Sequence, residues 1–256
     1  MIRLKTIEQI ETLKKGGRRH AQILSKLAKK VVPGVKISDL NTLAIELVKK
    51  EGDVPAFLNY RPDGARRKYP AALCVSINEE IVHGIPNEGR RVVKEGDIVS
   101  IDLGLSHKRM ITDMAVTVGA GKSNEENNRL IKATKEALSA GIKAAKAGKF
   151  TGDIGFAIEK IARKYRFSIA EGLSGHGVGF SIHEDPYVPN FGTPGYGEVL
   201  KEGMVLAIEP MFCLGSGEIV SDKDGLVFKT KDGETSAHFE HTIAITKKGP
   251  IILTKE

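Results

Sequence analysis

Four acids recur in two matching contexts. Lys94-Glu95-Gly96-Asp97-Ile98-Val99-Ser100-Ile101-Asp102 lines up with Lys201-Glu202-Gly203-Met204-Val205-Leu206-Ala207-Ile208-Glu209. In each, Lys-Glu-Gly and a short apolar run deliver a carboxylate. A second acid follows in both, because Asp113-Met114-Ala115-Val116 echoes Glu240-His241-Thr242-Ile243. The β-branched runs Asp97 to Leu105 and Arg109 to Val118, joined by Ser106-His107-Lys108, read as an antiparallel hairpin. A turn centred between His107 and Lys108 sets Asp102 directly opposite Asp113. Opposed side chains lie about 4.5 to 5.5 Å apart at Cβ, where like charges destabilise a sheet. Glu209 and Glu240 form a second opposed pair about the turn-like Ser221-Asp222-Lys223-Asp224-Gly225, flanked by Ile219-Val220 and Leu226-Val227-Phe228. Four gathered carboxylates raise one another's pKa values. Two divalent cations would balance their charge.

Gly175-His176-Gly177-Val178-Gly179 supplies a nitrogen ligand. Its glycines are not a dinucleotide loop, since Phe180 stands where a third glycine is needed and no strand-loop-helix pattern surrounds it. They let backbone approach a crowded centre instead. One imidazole with four carboxylates suits manganese, iron, cobalt or zinc in a catalytic site with open positions. His83-Gly84-Ile85-Pro86 echoes His183-Glu184-Asp185-Pro186, which adds a histidine from each copy of the repeat. By strand alternation His238 shares the face of Glu240 and His241 points away. His20 and His107 are expected at the surface.

The positioning elements follow the same duplication. Gly34 to Asp39-Leu40 echoes Gly148 to Asp153-Ile154, and Ala44-Ile45-Glu46 echoes Ala157-Ile158-Glu159. Each half reads as helix, helix, then strands carrying a histidine and two acids, and a site is expected where the halves meet. Thr6-Ile7-Glu8-Gln9 has capping-box spacing for a first helix through Val31, stopped by Pro33-Gly34. Ser38 is the expected cap of a second helix closed by Gly52. Asn127 to Ala147 and Asp153 to Tyr165 read as two more.

At 256 residues the chain is near the limit for one core, roughly 250 to 300 residues. One catalytic domain, 1-256, with halves of about 1-120 and 121-256 is expected. The charged opening Met1-Ile2-Arg3-Leu4-Lys5 argues against a signal peptide or membrane span, which points to the cytoplasm. Cys74 and Cys213 sit in apolar runs and read as reduced, buried thiols. The net charge of +7 collects at Lys14-Lys15 with Arg18-Arg19, at Arg66-Arg67-Lys68 and at Arg90-Arg91. None is interleaved with base-stacking aromatics, so solvated surface is the reading, with weak attraction to a polyanion such as the ribosome as its functional form.

Cys74-Val75-Ser76-Ile77-Asn78-Glu79 leading to His83-Gly84-Ile85-Pro86, Gly96 to Asp102, Asp113, Gly175 to Gly179, His183 to Pro186, Ala207-Ile208-Glu209-Pro210 and Phe239-Glu240-His241-Thr242 together resemble type I methionine aminopeptidases. The resemblance spans nearly the whole chain. It implies the pita-bread fold of the α+β (α/β) class, two pseudo-twofold halves whose antiparallel sheet is covered by helices. It also implies a monomer holding two divalent ions, which removes the initiator methionine from nascent polypeptides when the second residue is small. Asp102, Asp113, His176, Glu209 and Glu240 match the metal ligands, with Asp113 and Glu240 bridging. A metal-activated hydroxide would attack the scissile carbonyl while Glu209 shuttles the proton. His83 and His183 match the substrate-contacting histidines, and Tyr69 and Cys74 match the methionine pocket, where Ile182 and Leu226 replace frequent aromatics. A monovalent cation near the carbonyls of Asn78, Glu80 and Ser236 is a further family feature. Two alternatives stand beside this reading. One is an X-Pro peptidase, which resembles longer chains with an added N-terminal domain; the other is a non-enzymatic ribosome-associated protein of the same fold.

Overall fold

A computed structural model describes all 256 residues. The helices are α1 (Ile7–Ala28), α2 (Ile37–Lys50), α3 (Glu125–Ala144) and α4 (Thr151–Tyr165). The first half carries strands β1 (Val54–Pro55), β2 (Leu73–Ile77), β3 (Glu80–Val82), β4 (Ile98–His107) and β5 (Met110–Gly119). The second begins with β6 (Ser168–Ile169), β7 (Ser174–Gly177), β8 (Glu184–Pro189), β9 (Val205–Ile208) and β10 (Met211–Cys213). It ends with β11 (Ile219–Ser221), β12 (Phe228–Thr230), β13 (Ser236–His238), β14 (His241–Thr246) and β15 (Gly249–Ile252). Every strand pairing is antiparallel.

Local chemistry explains the helix ends. Thr6 accepts from the Gln9 N–H while the Gln9 side chain accepts from the Thr6 N–H, so both groups of the capping box are in place. Ser38 is not the cap of α2: Lys36 occupies that position without a side-chain bond, and the Ser38 hydroxyl turns to Asp39. The chain enters α2 through a backbone bridge between Lys36 and Val92, which supplies the constraint that a capping hydroxyl would otherwise give.

The duplicated sequence adopts duplicated geometry. Gly34 donates its N–H to the Val93 carbonyl, and Gly148 donates to Leu200, both at 2.8 Å. The Lys36–Val92 bridge recurs as Phe150–Val199. Gly96 and Gly203, the glycines of the two Lys-Glu-Gly turns, have φ of 85° and 86°, a region that costs other residues steric strain. These turns aim β4 and β9 so that each ends or passes at its acid.

Two apolar layers hold the frame. Leu24, Leu27, Leu40 and Val48 of the first helix pair pack on Leu73, Ile101 and Leu103 of the strands. Leu130, Ala137, Ile154 and Ile158 of the second pair pack on Leu206, Ile208, Phe212 and Ile243. Each such side chain, fully buried, contributes about 1.5 to 3 kcal/mol. Cys74 and Cys213 are both free and buried. No helix is long and apolar enough to cross a membrane.

The histidines outside the repeat motifs correct one expectation. His20 and His107 are not at the surface but buried. His20 lies on the same stripe of α1 as Leu13, Leu24 and Leu27, and its Nδ1 pairs with the Thr112 hydroxyl at 3.0 Å. His107 Nδ1 meets the Asp53 carboxylate at 2.7 Å, in a space that exists because Gly16 has no side chain there.

Candidate metal centre

The first hairpin departs from the expected register. Its turn is Lys108-Arg109, with φ of 48° and 66°, so Asp102 lies opposite Ala115 and Asp113 opposite Gly104. Positive φ at both central residues is the geometry of a type I′ turn, which normally signals itself by Asn-Gly or Asp-Gly. Lys-Arg gives no such signal. The register is displaced by two residues, which preserves the face, so the two acids are diagonal neighbours rather than a directly opposed pair.

The second excursion keeps one continuous register. Ile208 pairs with His241, Met211 with His238, Cys213 with Ser236, Ile219 with Thr230 and Ser221 with Phe228. Glu209 and Glu240 fall between the first two of these pairs, opposite each other, as the sequence symmetry predicts. Across the seam between the hairpins, Thr242 Oγ1 accepts from the Asp113 N–H at 2.8 Å and donates to the Asp113 carbonyl at 2.7 Å. The Glu240 N–H donates to the Ala115 carbonyl at 2.9 Å. Backbone thus ties one acid of each hairpin to the other hairpin.

His176 arrives from β7, where it pairs with Ala207. Its Nδ1–H donates to the Gly177 carbonyl at 2.9 Å, which leaves the Nε2 lone pair facing the acids. That nitrogen is 3.3 Å from Glu209 Oε1 and 3.9 Å from Asp113 Oδ2. One ligand atom each from Asp113, His176 and Glu240 lies within 4.8 Å of the others. Asp102 Oδ1 and Glu240 Oε1 are buried without a hydrogen-bond partner. Buried, partnerless acceptors amid like charges are costly. A divalent cation answers both deficits, and oxygen donors with one imidazole match the first-row metals.

Electrostatics points the same way. Burial, opposed in part by His238, pushes Asp102 up to about 7, and burial does the same for Glu209. Burial and then the neighbouring carboxylates hold Asp113 and Glu240 well above the usual range. Without metal the folded state therefore retains protons that an unfolded chain releases from about pH 4 upward. For these acids, stability falls as pH rises through that window toward 7. Buried His20 and His238 and part-buried His241 work oppositely. His20 is lowered to about 3 and His238 and His241 to about 4, chiefly by burial, so their contribution rises with pH up to about 6.5. A difference measurement separates the two. The melting temperature of chelator-treated Asp102→Asn, relative to wild type, is expected to climb between pH 4.5 and pH 7.5. A difference independent of pH would contradict the raised pKa.

Above the acids opens a cavity of about 550 Å³, lined among others by Tyr60, Tyr69, Cys74, His83, His183, Leu226 and His238. Tyr69 and Cys74 are among its lining residues, and the Tyr69 hydroxyl donates to the Gly84 carbonyl at 2.8 Å. Leu226 is part of the wall, whereas Ile182 packs behind Phe57 in the space that Gly104 leaves open. His83, in the left-handed region at φ 61°, directs Nδ1 to the Leu226 carbonyl at 3.2 Å. His183 packs its ring edge-on to His176 at 4.5 Å between centroids. His238 Nε2 is 3.4 Å from Glu209 Oε2, while His241 turns away to the Thr254 hydroxyl at 3.0 Å. The Ser236 hydroxyl lies 3.0 and 3.2 Å from the Asn78 and Glu80 carbonyls.

Sequence reasoning missed Tyr60. Its hydroxyl is 2.9 Å from His183 Nδ1, and its backbone carbonyl accepts from the Tyr69 N–H. A lone tyrosine before a Pro-Asp-Gly turn carries no chemical signature. Only its spatial pairing with His183 reveals a role. The part played by Thr242 was equally silent, because a threonine in a strand is ordinary.

Residues 11–247 match the profile of metallopeptidase family M24. A methionine aminopeptidase of Aquifex aeolicus is 48% identical over 99% of both chains. The crystal structure of a methionine aminopeptidase from Thermotoga maritima superposes with a TM-score of 0.94 at 45% identity, covering 100% of each chain. A prolidase from Pyrococcus furiosus shares the fold at a TM-score of 0.75 and 23% identity; the chain covers 65% of it. Fold and site together define a pita-bread metallopeptidase. The chain belongs to family M24 and, within it, to the type I methionine aminopeptidases.

Proposed function

We propose that this enzyme removes the initiator methionine from nascent polypeptides whose second residue is small. The observation that carries the reading is the convergence of three buried carboxylates, the part-buried Glu209 and the His176 Nε2 beneath a cavity faced by two further histidines. In this reading residues 1-256 act as one catalytic domain, with halves of about 1-120 and 121-256, working in the cytoplasm as a monomer. Two divalent ions would be held by Asp102, Asp113, His176, Glu209 and Glu240, of which Asp113 and Glu240 are tied to each other's hairpin at the seam. Bound there, they would polarise the scissile carbonyl and acidify a water to attack it.

The chain's own groups do the rest. Glu209, whose Oε1 lies 3.3 Å from His176 Nε2 and whose Oε2 lies 3.4 Å from His238 Nε2, takes the proton and returns it to the leaving amine. His183 donates to the oxyanion, and His83, oriented by the Leu226 carbonyl, positions the scissile amide. Tyr69, Cys74 and Leu226 receive the methionine side chain, whose flexible thioether suits an apolar wall of mixed shapes. Of the basic clusters at Lys14-Lys15 with Arg18-Arg19, at Arg66-Arg67-Lys68 and at Arg90-Arg91, the side chains not held by carboxylates, as Arg19, Arg67 and Arg91 are, would add weak attraction to the ribosome.

The test compares kcat/KM for Met-Ala-Ser, Leu-Ala-Ser, Met-Lys-Ser, acetyl-Met-Ala-Ser and an X-Pro dipeptide after loading with manganese, cobalt or iron. Met-Ala-Ser is expected to be cut best. The acetylated peptide is expected to be inert, because acetylation removes the amine lone pair and adds bulk at the cavity floor. Met-Lys-Ser is expected to be at least about 10²-fold slower, since a long second side chain must fit beside the acids. Cleavage of the acetylated peptide, or preference for the X-Pro dipeptide, would overturn the assignment.

A further inference from the structure

We infer that residues 61–68 form a strap that determines the specificity of the methionine pocket, with Arg67 as its latch. The inference rests on the aminopeptidase reading. The ends of the segment are drawn together by backbone bonds, Asn59 N–H to the Tyr69 carbonyl at 2.9 Å and Tyr69 N–H to the Tyr60 carbonyl at 2.7 Å. Closed ends make the intervening residues a compact loop rather than a free tether. Its tip, Pro62-Asp63-Gly64-Ala65, turns through an Ala65 N–H to Pro62 carbonyl bond at 3.1 Å, with Gly64 at φ 81°. Pro62 and Asp63 line the catalytic cavity. Ala65 is buried in one apolar cluster with Phe57, Tyr69, Cys74, Ile182 and Leu226.

The strap lies directly on the turn that carries Leu226. The Gly64 carbonyl oxygen and Ala65 Cα are 3.4 and 3.7 Å from where a Cβ on Gly225 would stand. The Arg66 N–H donates to the Asp224 carbonyl at 3.0 Å. Arg67 then bridges three segments. Its Nε donates to Asp224 Oδ2 at 2.7 Å, and its two terminal nitrogens donate to Glu88 at 2.6 and 3.0 Å. A guanidinium gripping one carboxylate with two parallel bonds fixes orientation as well as distance.

What this latch holds decides what it does. The Leu226 N–H is anchored on Asp222 Oδ1 at 2.8 Å, the Leu226 side chain lines the cavity, and the Leu226 carbonyl receives His83 Nδ1. Fixing Asp224 therefore fixes a wall of the pocket and the orientation of a substrate-facing imidazole. A broad aromatic wall would keep its shape by its own rigidity. Leu226 and Ala65 are small enough to shift, so the wall's position depends on the strap. Arg67 and Asp224 are positioning residues in this scheme and touch no substrate.

The experiment measures kcat and KM for Met-Ala-Ser and Leu-Ala-Ser in the manganese-loaded enzyme, for wild type, Arg67→Ala, Asp224→Ala, the double variant and Arg66→Ala. Arg66 is the control, because its backbone but not its side chain joins the contact. Arg67→Ala and Asp224→Ala are each expected to lower the preference for Met over Leu by about tenfold, mainly through KM, the scale on which an apolar pocket discriminates one side chain from another. The double variant is expected to lose no more than Arg67→Ala alone, since that variant already removes the Asp224 contact together with the Glu88 pair. Arg66→Ala is expected to keep the wild-type preference. A Met-to-Leu preference within about twofold of wild type in Arg67→Ala, even with a lowered melting temperature, would reduce the strap to a structural loop and overturn the inference. Failure of wild type to cut Met-Ala-Ser would instead overturn the reading on which it rests.

Discussion

Asp113→Asn and Glu240→Gln are each expected to abolish turnover while leaving the fold intact, and in the metal-free state each should melt higher than wild type. The loss follows from the donor set. Each residue reaches the cluster from one hairpin while its backbone is bonded to the other, and in the proposed scheme both carboxylates hold the cations. Replacing one by an amide removes a charge that cation binding requires. Metal polarisation supplies several kcal/mol of transition-state stabilisation. At 1.36 kcal/mol for each factor of ten, its loss corresponds to about 10³-fold or more in kcat/KM. The rise in metal-free stability comes from the same residues. Asp113 and Glu240 are held well above their ordinary pKa by burial and by neighbouring carboxylates, and Glu240 Oε1 has no hydrogen-bond partner. A neutral isostere relieves part of that cost. Metal titration by calorimetry, bound-metal analysis, peptide kinetics and melting with and without chelator together test the point. Variants that retain full turnover with less than stoichiometric metal would refute the proposed role.

The acids could be read from the sequence because the duplication repeats their context, and alternation along a strand fixes the face of each. The Glu209–Glu240 register survives an excursion of thirty residues, as the continuous pairing from Ile208–His241 to Ser221–Phe228 demonstrates. The first hairpin was harder, although it is shorter. Lys108-Arg109 adopts positive φ without the glycine or asparagine that would announce it, so the expected turn falls one residue early. Helix existence followed from apolar periodicity, yet α2 begins without the expected serine cap because a bridge to Val92 constrains its entry.

Histidine was the residue type least well placed. His20 lies on a helical core stripe and His107 is sheltered beneath Gly16, beside Asp53. Both burials depend on contacts between segments far apart in the chain. Tyr60 and the strap at 61–68 share that property. Their roles come from His183 and Asp224, more than a hundred residues away, and no local pattern encodes such a meeting.

His183→Ala is expected to lower kcat by on the order of 10² to 10³, the usual effect of removing one donor from a preorganised oxyanion site. The donor role depends on the tautomer. Tyr60, whose hydroxyl is held protonated by burial and then by the Asp63 charge, stands 2.9 Å from Nδ1. When that hydroxyl donates to Nδ1, the remaining proton resides on Nε2, the nitrogen free to serve substrate. Partial desolvation and then the neighbouring His176 and His83 lower the pKa of His183 below its ordinary value although the residue keeps solvent-exposed surface, so the neutral ring is favoured at neutral pH and donates without carrying charge. Three measurements follow. His183→Ala should lose kcat far more than KM. Tyr60→Phe should lose about tenfold in kcat, as expected for a partner that orients the donor without touching the oxyanion. The pH dependence of kcat should show no ionisation belonging to His183 above pH 5. A kcat titration near 6.5 in wild type that vanishes in His183→Ala would mean the ring works as an imidazolium and would displace the neutral-donor assignment. Near-wild-type kinetics in both His183→Ala and His83→Ala would leave the two His-x-x-Pro segments as turns that shape the cavity wall.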